Sequence, residues 1–376
     1  MPTEEQIRES LEKILVPGTM GSLVKFNLVR QVTVSDGKVN ISLASAALNP
    51  GTQDWLKDRV RDVVKRLPGV VDVEMSFEEG RCKDVNEIGS VIAVMSGKGG
   101  VGKSLVAGLA ALSLAQRGRE VGILDADITG PSIPKMFGIT ARPVGGETGI
   151  LPVLSRAGIK IMSTNLLLPR EDDAVIWRGP LIGKAITQFW EDVLWGKLDY
   201  LIVDLPPGTA DAPLTVMQSL PLSGVIIVFT PQQLTAMVVR KAIRMARDAM
   251  HIPILGVVEN MSYFVLPETG KKLDLFGKSR ADEMAEAAGA PLLAQIPLDP
   301  ELARLCDDGD IERCNADLTN ALADALIQAV GARRMREGEG EEKTSLDSRQ
   351  TPQGGTTASE DPRGPDRQSE GRRAGS

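Results

Sequence analysis

Hydrophobic positions follow two different patterns along the chain, and the first pattern covers residues 1–78. Apolar residues recur at helical spacing over residues 7–15, and two extended apolar runs lie on either side of the turn-forming residues 35–37. A second helical stretch begins near residue 50, and an extended run follows it over residues 70–77. Helical spacing predicts amphipathic helices, and extended runs around a Gly-containing turn predict a hairpin. We therefore expect a small α/β domain here.

From residue 90 onward the pattern changes to short apolar runs without alternation, separated by helical stretches. Such runs are typical of strands that are buried on both faces. Their regular alternation with helices predicts a doubly wound, mostly parallel α/β sheet. The runs are residues 91–95, 121–124, 159–162, 200–203, 225–229, 254–258 and 292–296.

Two polar segments lie before and after this second domain. Residues 79–89 are polar and predict a linker, and residues 334–376 contain almost no apolar side chain and predict a disordered tail. The predicted organisation is thus a small domain over residues 1–78, a linker, a second domain over residues 90–333 and a tail.

Composition and charge narrow the function classes. With 42% hydrophobic and 25% charged residues the chain has the composition of a globular protein, and its net charge of −7 argues against a nucleic-acid-binding role. The three cysteines show no Cys-x-x-Cys spacing, which fits a reducing compartment. The acidic first residues are unlike a signal peptide, and no apolar run approaches the ~20 residues that span a bilayer. We expect a cytoplasmic protein without a stable membrane anchor.

The strongest chemical signal is a glycine-rich loop between an apolar run and a helical stretch. The segment Gly97-Lys-Gly-Gly-Val-Gly-Lys-Ser104 satisfies the phosphate-loop pattern G-x-x-x-x-G-K-[ST] in the strand–loop–helix context that the pattern requires. Its glycines let backbone N–H groups surround phosphate oxygens, and the helix directs its positive end at the same anion. The predicted nucleotide-binding residues here are Gly97, Lys98, Gly99, Gly100, Val101, Gly102, Lys103 and Ser104. We expect Lys103 to contact the β- and γ-phosphates of ATP and the Ser104 hydroxyl to bind Mg²⁺.

Lys98 makes this loop a deviant version of the pattern. The sequence G-K-G-G-x-G-K-[ST] resembles the loop of MinD-type division ATPases, the nitrogenase iron protein and the tail-anchored-protein targeting ATPase. In that superfamily the extra lysine reaches the nucleotide of a second subunit across a nucleotide-sandwich dimer. The resemblance therefore implies a homodimer in which Lys98 is a catalytic residue.

Two acidic residues at predicted strand ends complete the expected catalytic set. Asp127 follows the run 121–124 and matches the superfamily's aspartate that positions the attacking water. Asp204 ends the run 200–203, the pattern of a Walker B carboxylate that holds Mg²⁺ through water. Gly208 follows it and is expected to bring its N–H close to the γ-phosphate.

Seven stretches, the glycine-rich loop among them, give a closer resemblance, to the Mrp (ApbC-like) ATPases. That family is implicated in carrying and inserting iron-sulfur clusters. The likeness covers about residues 90–330, and residues 1–78 resemble the small iron-sulfur assembly domain often fused ahead of it. Asn260 matches the family position near the adenine base. The stretches are Ser96 to Ser104, Leu124 to Pro134, Trp177-Arg-Gly-Pro180, Trp195 to Tyr200, Asp204 to Asp211, Thr230-Pro-Gln232 and Glu259-Asn-Met-Ser262.

The chain departs from the family at the cluster site. Where many relatives have C-P-x-C-G, whose thiolates hold one [4Fe-4S] cluster between two subunits, this chain has Leu266-Pro-Glu-Thr269-Gly. Soft thiolate ligands are thus absent from this position. Cys82, Cys306 and Cys314 have no cluster-motif spacing and are interpreted as structural or surface residues. We identify no iron-sulfur ligand, and cluster binding stays open.

Three functions remain as alternatives. The first is a dimeric ATPase that carries iron-sulfur clusters to apoproteins together with assembly factors. The second is a regulatory or scaffold ATPase of the same pathway that holds no cluster. The third, a membrane-bound spatial regulator, is disfavoured because residues 337–376 offer no amphipathic anchor.

Overall fold

The computed structural model describes residues 1–128, 130–167 and 179–349. Residues 1–331 form one compact unit, and a second unit begins at Ala332. Trp177 and Arg178 of the family-like stretch lie outside the described residues.

The small domain has a three-stranded sheet with two helices packed on one face. Strands β1 and β2 form the predicted antiparallel hairpin, and β3 pairs with β2 in parallel. Thr3 caps the first helix with a capping box, and Asn49 caps the second, since its side chain accepts the Thr52 N–H. The elements are α1 (Glu4–Glu12), β1 (Val29–Ser35), β2 (Lys38–Ala44), α2 (Pro50–Val64) and β3 (Asp72–Glu78).

The rest of the described chain contains the large sheet. Each apolar run predicted as a strand overlaps one of its strands and extends at most one residue beyond it. Seven of the eight strands are parallel, with only β8 antiparallel to its neighbour. The predicted doubly wound α/β fold is therefore confirmed. The elements are α3 (Cys82–Val85), β4 (Glu87–Ser96), α4 (Lys103–Gln116), β5 (Val121–Asp125), α5 (Ile133–Met136), β6 (Val144–Gly146), β7 (Gly149–Leu151), β8 (Val153–Leu154), β9 (Lys160–Ser163), α6 (Gly179–Asp192), β10 (Lys197–Asp204), α7 (Asp211–Ser219), β11 (Gly224–Phe229), α8 (Gln233–Arg244), β12 (Ile254–Glu259), β13 (Phe264–Val265), β14 (Lys272–Leu273), α9 (Ala281–Ala288), β15 (Leu292–Gln295), α10 (Pro300–Asp307) and α11 (Ala316–Arg349).

Strand order brings the functional loops to one edge of the sheet. The order is β15-β12-β11-β4-β10-β5-β9-β8, so β4 and β10 are neighbours at the centre and β5 lies next to β10. One apolar layer of helices, from α4, α5, α10 and α11, covers one face, and α6 to α9 cover the other. Because the strands are parallel, the residues after β4, β5, β10 and β12 meet at the same edge. In the described ranges no helix is long and apolar enough to cross a membrane.

The small domain packs against the β8–β9 side of the large sheet. Leu151 and Leu194, which belong to the second domain by sequence, are buried in the hydrophobic cluster of the small domain. Lys25 of the small domain also forms an ion pair of 2.6 Å with Glu120. The two parts therefore share a core.

Two sequence expectations about the connecting segments are corrected. Residues 79–89 are not an extended linker, because α3 and the start of β4 lie in them and Cys82 and Val85 bury their side chains in the core. Disorder from residue 334 is wrong as far as Arg349, since α11 continues to that residue. Residues 334–349 include three Arg and four Glu, which are strong helix formers even without an apolar face. Residues 350–376 lie outside the described residues.

Candidate nucleotide site

The glycine-rich loop joins the end of β4 to the start of α4. Gly100 and Gly102 have φ values of +79° and +80°, a region that side chains with a Cβ rarely adopt. At Gly97 a Cβ would lie 2.6 Å from the carbonyl oxygen of Val238, so α8 packs directly on the loop backbone. Helix α4 is buried almost all round, and its N-terminal N–H groups face the loop. The glycines thus allow both the tight turn from β4 into α4 and the close packing of α8 on the loop.

Lys103 lies at the centre of the acidic residues. Its ammonium group is 2.5 Å from Asp204 Oδ1 and 3.5 Å from Asp127 Oδ2, and it donates to Ser104 Oγ at 3.3 Å. The side chains of Lys103 and Asp204 are 5% and 0% exposed. The structure therefore brings together four residues that the sequence assigned to phosphate, metal and water.

The other carboxylate oxygen of Asp204, Oδ2, is buried and has no hydrogen-bond partner. Burial raises the pKa of Asp204, although the nearby Lys103 ammonium opposes the shift. An acceptor in this state is suited to a cation or to water bound by one, because its desolvation is uncompensated. The oxygen donors of Ser104 and Asp204 fit the preference of Mg²⁺, which takes one or two protein ligands and completes its shell with water and phosphate.

Asp125 is a site residue to which the sequence analysis gave no role. Its Oδ1 accepts the N–H of Asp127, and its Oδ2 accepts the N–H of Ile133 and the hydroxyl of Ser163. Burial and the neighbouring Asp204 carboxylate raise the pKa of Asp125 well above its ordinary value. Asp125 therefore fixes the backbone that carries Asp127. The available sequence signal was an acidic residue directly after the apolar run 121–124.

Lys98 and Gly208 make contacts within the chain. Lys98 Nζ donates to Gln232 Oε1 at 3.0 Å, and the Gly208 N–H donates to the Ser96 carbonyl at 3.1 Å. Gly208 has a φ of +95°. Both groups lie at the rim of the glycine-rich loop with their donors engaged there.

Asn260 follows β12 and reaches the loop from the other side. Its Nδ2 donates to the Val101 carbonyl at 2.9 Å, and the side chain is buried. A Cβ at Gly102 would overlap this nitrogen, so the glycine leaves room for the amide. In the structure Asn260 therefore supports the glycine-rich loop. The family resemblance, which assigns Asn260 to the adenine base, did not predict this contact.

Glu259, immediately before Asn260, is a buried carboxylate surrounded by donors. Its Oε2 accepts from Ser262 Oγ, Ser279 Oγ and Gln295 Nε2 at 2.5, 2.7 and 2.9 Å, and its Oε1 accepts the Arg280 N–H at 2.7 Å. Ser262 and Ser279 lie at the two ends of the segment that contains the β13–β14 hairpin. One side chain therefore closes the base of this hairpin, and sequence reasoning missed it because the donors are far apart in the chain.

The hairpin carries Leu266 and Thr269, the positions at which the family has thiolates. Residues 267–279 are all exposed, and the turn is closed by the Leu266 N–H, which donates to the Lys271 carbonyl at 2.9 Å. In the described part of the chain no group of three or more His, Cys, Asp or Glu side chains is arranged to hold a metal ion.

The three cysteines lie in or against the hydrophobic clusters and are poor ligands as they stand. Burial raises the pKa of Cys82 to about 12 and that of Cys306 and Cys314 to about 11. Cys82 Sγ also donates to the Thr148 carbonyl at 3.6 Å. Thiols of this kind are protonated near neutral pH, whereas metal ligation needs the thiolate.

A doubly wound sheet with a glycine-rich loop, a buried lysine and acidic strand ends defines a P-loop nucleotide-binding protein. The family described as NUBPL iron-transfer P-loop NTPase matches residues 87–330, and an iron-sulfur cluster assembly protein family matches residues 4–75. This chain belongs to the family of iron-transfer P-loop NTPases. The resemblance inferred from its motifs is thereby confirmed.

Individual relatives agree with this assignment. The iron-sulfur cluster carrier protein of Aquifex aeolicus is 37% identical over 334 residues, covering 81% of this chain and 88% of the relative. That of Synechocystis is 38% identical over 322 residues, covering 82% and 91%. A solved nucleotide-binding protein of Archaeoglobus fulgidus in complex with ADP is 48% identical, with a TM-score of 0.54, and covers 60% of this chain and 88% of that one.

Proposed function

We propose that the chain binds ATP with Mg²⁺ at the glycine-rich loop, hydrolyses it as a homodimer, and uses the nucleotide state to carry iron-sulfur clusters to apoproteins. The observation that supports this most is the buried Lys103 ammonium held between Asp204 and Asp127. The Lys103 side-chain nitrogen already contacts anionic oxygens of these two carboxylates, and phosphate oxygens can replace them as its partners. The names of the relatives support the carrier role.

Each residue has a role in this mechanism. The loop from Gly97 to Ser104 binds the phosphates through its N–H groups, and Lys103 leaves Asp204 for the β- and γ-phosphates. Ser104 and Asp204 would hold Mg²⁺, which supplies charge neutralisation when bound. Asp127 accepts a hydrogen bond from the attacking water and orients it. Asn260 Oδ1 accepts from the adenine amino group while its nitrogen keeps the loop in place.

Besides the pair of Lys103 and Asp204, two contacts at the rim of the loop must be exchanged for catalysis. Lys98 must leave Gln232 to reach the nucleotide of a second subunit, and the Gly208 N–H must leave Ser96 to reach the γ-phosphate. Both contacts are single hydrogen bonds at the rim, and each contributes only about 1 kcal/mol. Binding of ATP at a dimer interface can compensate for their loss.

The test is ATP hydrolysis by the purified chain and by Asp127→Ala, with Asp58→Ala as a control for loss of an exposed carboxylate. Loss of a preorganised catalytic group costs about 10²–10³ in rate. We expect such a fall for Asp127→Ala and unchanged turnover for Asp58→Ala. Equal turnover in all three proteins would remove Asp127 from the mechanism.

A second candidate is a regulatory or scaffold ATPase of cluster assembly that holds no cluster. Leu266 and Thr269 in the exposed hairpin favour it. Anaerobic reconstitution followed by iron and sulfide analysis separates the two, with Leu266→Cys/Thr269→Cys as the comparison. Cluster bound only by the double variant supports the scaffold, and a transferable cluster in the unchanged chain supports the carrier.

A further inference from the structure

Lys160, the first residue of β9, lies between the small domain and the large sheet with no exposed surface. Its side-chain nitrogen, Nζ, donates to the carbonyl of Lys25 at 2.7 Å and to the carbonyl of Trp195 at 2.6 Å. Lys25 belongs to the small domain, and Trp195 precedes β10 in the large sheet. One side chain thus links the two parts through backbone acceptors.

The surroundings leave no space for a looser arrangement. Gly196 has a φ of +64°, and a Cβ there would lie 2.8 Å from the Phe26 carbonyl oxygen and 3.2 Å from Lys160 Nζ. The Phe26 ring centroid lies 5.8 Å from the same nitrogen. The Lys160 amine is therefore enclosed by backbone and an aromatic ring on the small-domain side.

Strand β9 connects this contact to the nucleotide site. It pairs with β5 in register from Gly122 opposite Lys160 to Asp125 opposite Ser163. At its far end the Ser163 hydroxyl donates to Asp125 Oδ2 at 3.3 Å. A strand rises about 3.3 Å per residue, so about 10 Å of buried, extended backbone separates the two contacts.

We propose that Lys160 is a positioning residue that fastens the small domain to the large sheet and, through β9, keeps Asp125 in place at the nucleotide site. The effect on turnover rests on the proposed ATPase function, whereas the fastening itself does not.

Docking of the small domain through Lys160 depends on pH, because docking changes the protonation of the Lys160 side chain. Burial lowers the pKa of Lys160 to about 7, and the charged groups acting on it are Glu120, which raises the pKa, and Lys25, which lowers it. When the domains separate, the amine meets water and recovers its ordinary pKa of about 10.4. Between these two pKa values, docking of the small domain on the large sheet releases a proton. The equilibrium constant for docking therefore rises about tenfold per pH unit from about pH 7 to about pH 10, and it does not change with pH below about pH 7.

The experiment compares the full-length chain with Lys160→Met, and with Lys184→Met as a control for an exposed lysine. Hydrogen exchange of residues 22–28, corrected for its intrinsic pH dependence, reports opening of the interface. We expect protection to rise with pH above about 7 in the unchanged chain and in Lys184→Met, and to be independent of pH in Lys160→Met. The same pH profile in Lys160→Met would overturn the assignment.

Glu120→Gln provides a second variant, because Glu120 is half exposed and its loss is tolerated more easily. Removing this negative charge lowers the pKa of Lys160, so the pH at which protection begins to rise should fall. An unchanged profile would contradict the role of Lys160.

Turnover is measured on the same proteins. We expect Lys160→Met to lower kcat several-fold at pH 8 with KM unchanged, and Lys184→Met to change neither. If the unchanged chain hydrolyses no ATP, the proposed function fails, and the exchange experiment still decides the fastening. If Lys160→Met loses the pH dependence of its hydrogen-exchange protection but keeps the kcat of the unchanged chain, the proposed connection from Lys160 through β9 to Asp125 is overturned.

Discussion

The ammonium nitrogen of Lys103 lies 2.5 Å from Asp204 Oδ1, and both side chains are almost completely buried. The lysine of the phosphate loop is therefore already paired with the carboxylate at the end of the central strand. Each charge compensates the desolvation of the other, so the loss of one partner leaves a buried charge.

This pairing predicts that Lys103→Met destabilises the chain by about 3–5 kcal/mol near neutral pH. Without the lysine the pKa of Asp204, which burial already raises, rises further. A carboxyl group whose pKa is higher in the folded than in the unfolded state destabilises the fold at pH values above its unfolded pKa. The stability lost in Lys103→Met should therefore shrink as the pH falls toward 5. Urea denaturation at pH 8 and pH 5 measures this, and an equal loss at both values would contradict it.

Gly102 and Gly118 form a matched pair for testing the contact with Asn260. Both have positive φ, but a Cβ at Gly102 overlaps Asn260 Nδ2, whereas nothing lies within 4 Å of one at Gly118. Each change to Ala should cost about 1–2 kcal/mol of stability through backbone strain. Only Gly102→Ala should weaken ATP binding, by about tenfold or more, because it displaces Asn260 from the loop. Calorimetric titration with ATP measures this, and equal affinities would remove Asn260 from nucleotide binding.

Glu259→Ala should leave the donors of Ser262, Ser279, Gln295 and Arg280 without their acceptor. Hydrogen bonds to a charged group contribute about 1.5–3 kcal/mol each, so we expect a loss of about 3 kcal/mol or more. Protease cleavage within residues 263–278 should accelerate as the base of the hairpin opens. Glu268→Ala, an exposed change in the same hairpin, is the control, and equal cleavage rates would show that Glu259 does not close it.

Lys98 leads us to expect a homodimer that tightens with ATP. Lys98→Ala removes the group proposed to cross to the second subunit, so dimerisation with a non-hydrolysable ATP analogue should weaken while the unliganded state is unaffected. Light scattering of the two proteins with and without the analogue measures this. A chain that is monomeric in every nucleotide state would contradict the sandwich dimer.

The sequence predicts the structural features that depend on residues close together in the chain. The apolar runs of the strands and the spacing of Gly97 to Ser104 are local signals, and the structure contains the strands and the loop as expected. The network of Glu259 and the carbonyl contacts of Lys160 could not be found in this way. Their partners are distant in the chain or belong to the backbone, and only the packed sheet brings them together.

The prediction of a linker over residues 79–89 is wrong for the same reason, since burial of this segment depends on residues distant in the chain. Cys82, Val85 and Ile88 are three apolar residues among polar ones, too few to form a recognisable pattern. Cys82 and Val85 are nevertheless buried in the structure. A helix also continues to Arg349 without an apolar face, because helix propensity needs no core.

The shared core of the two parts affects the order in which the chain can fold during its synthesis. Leu151 and Leu194 complete the hydrophobic cluster of the small domain, yet they emerge from the ribosome long after Glu78 ends its last strand. At about 5–20 residues per second the interval is several seconds or more. The small domain, which is synthesised first, therefore keeps part of its apolar surface exposed until the second domain has been made and covers that surface.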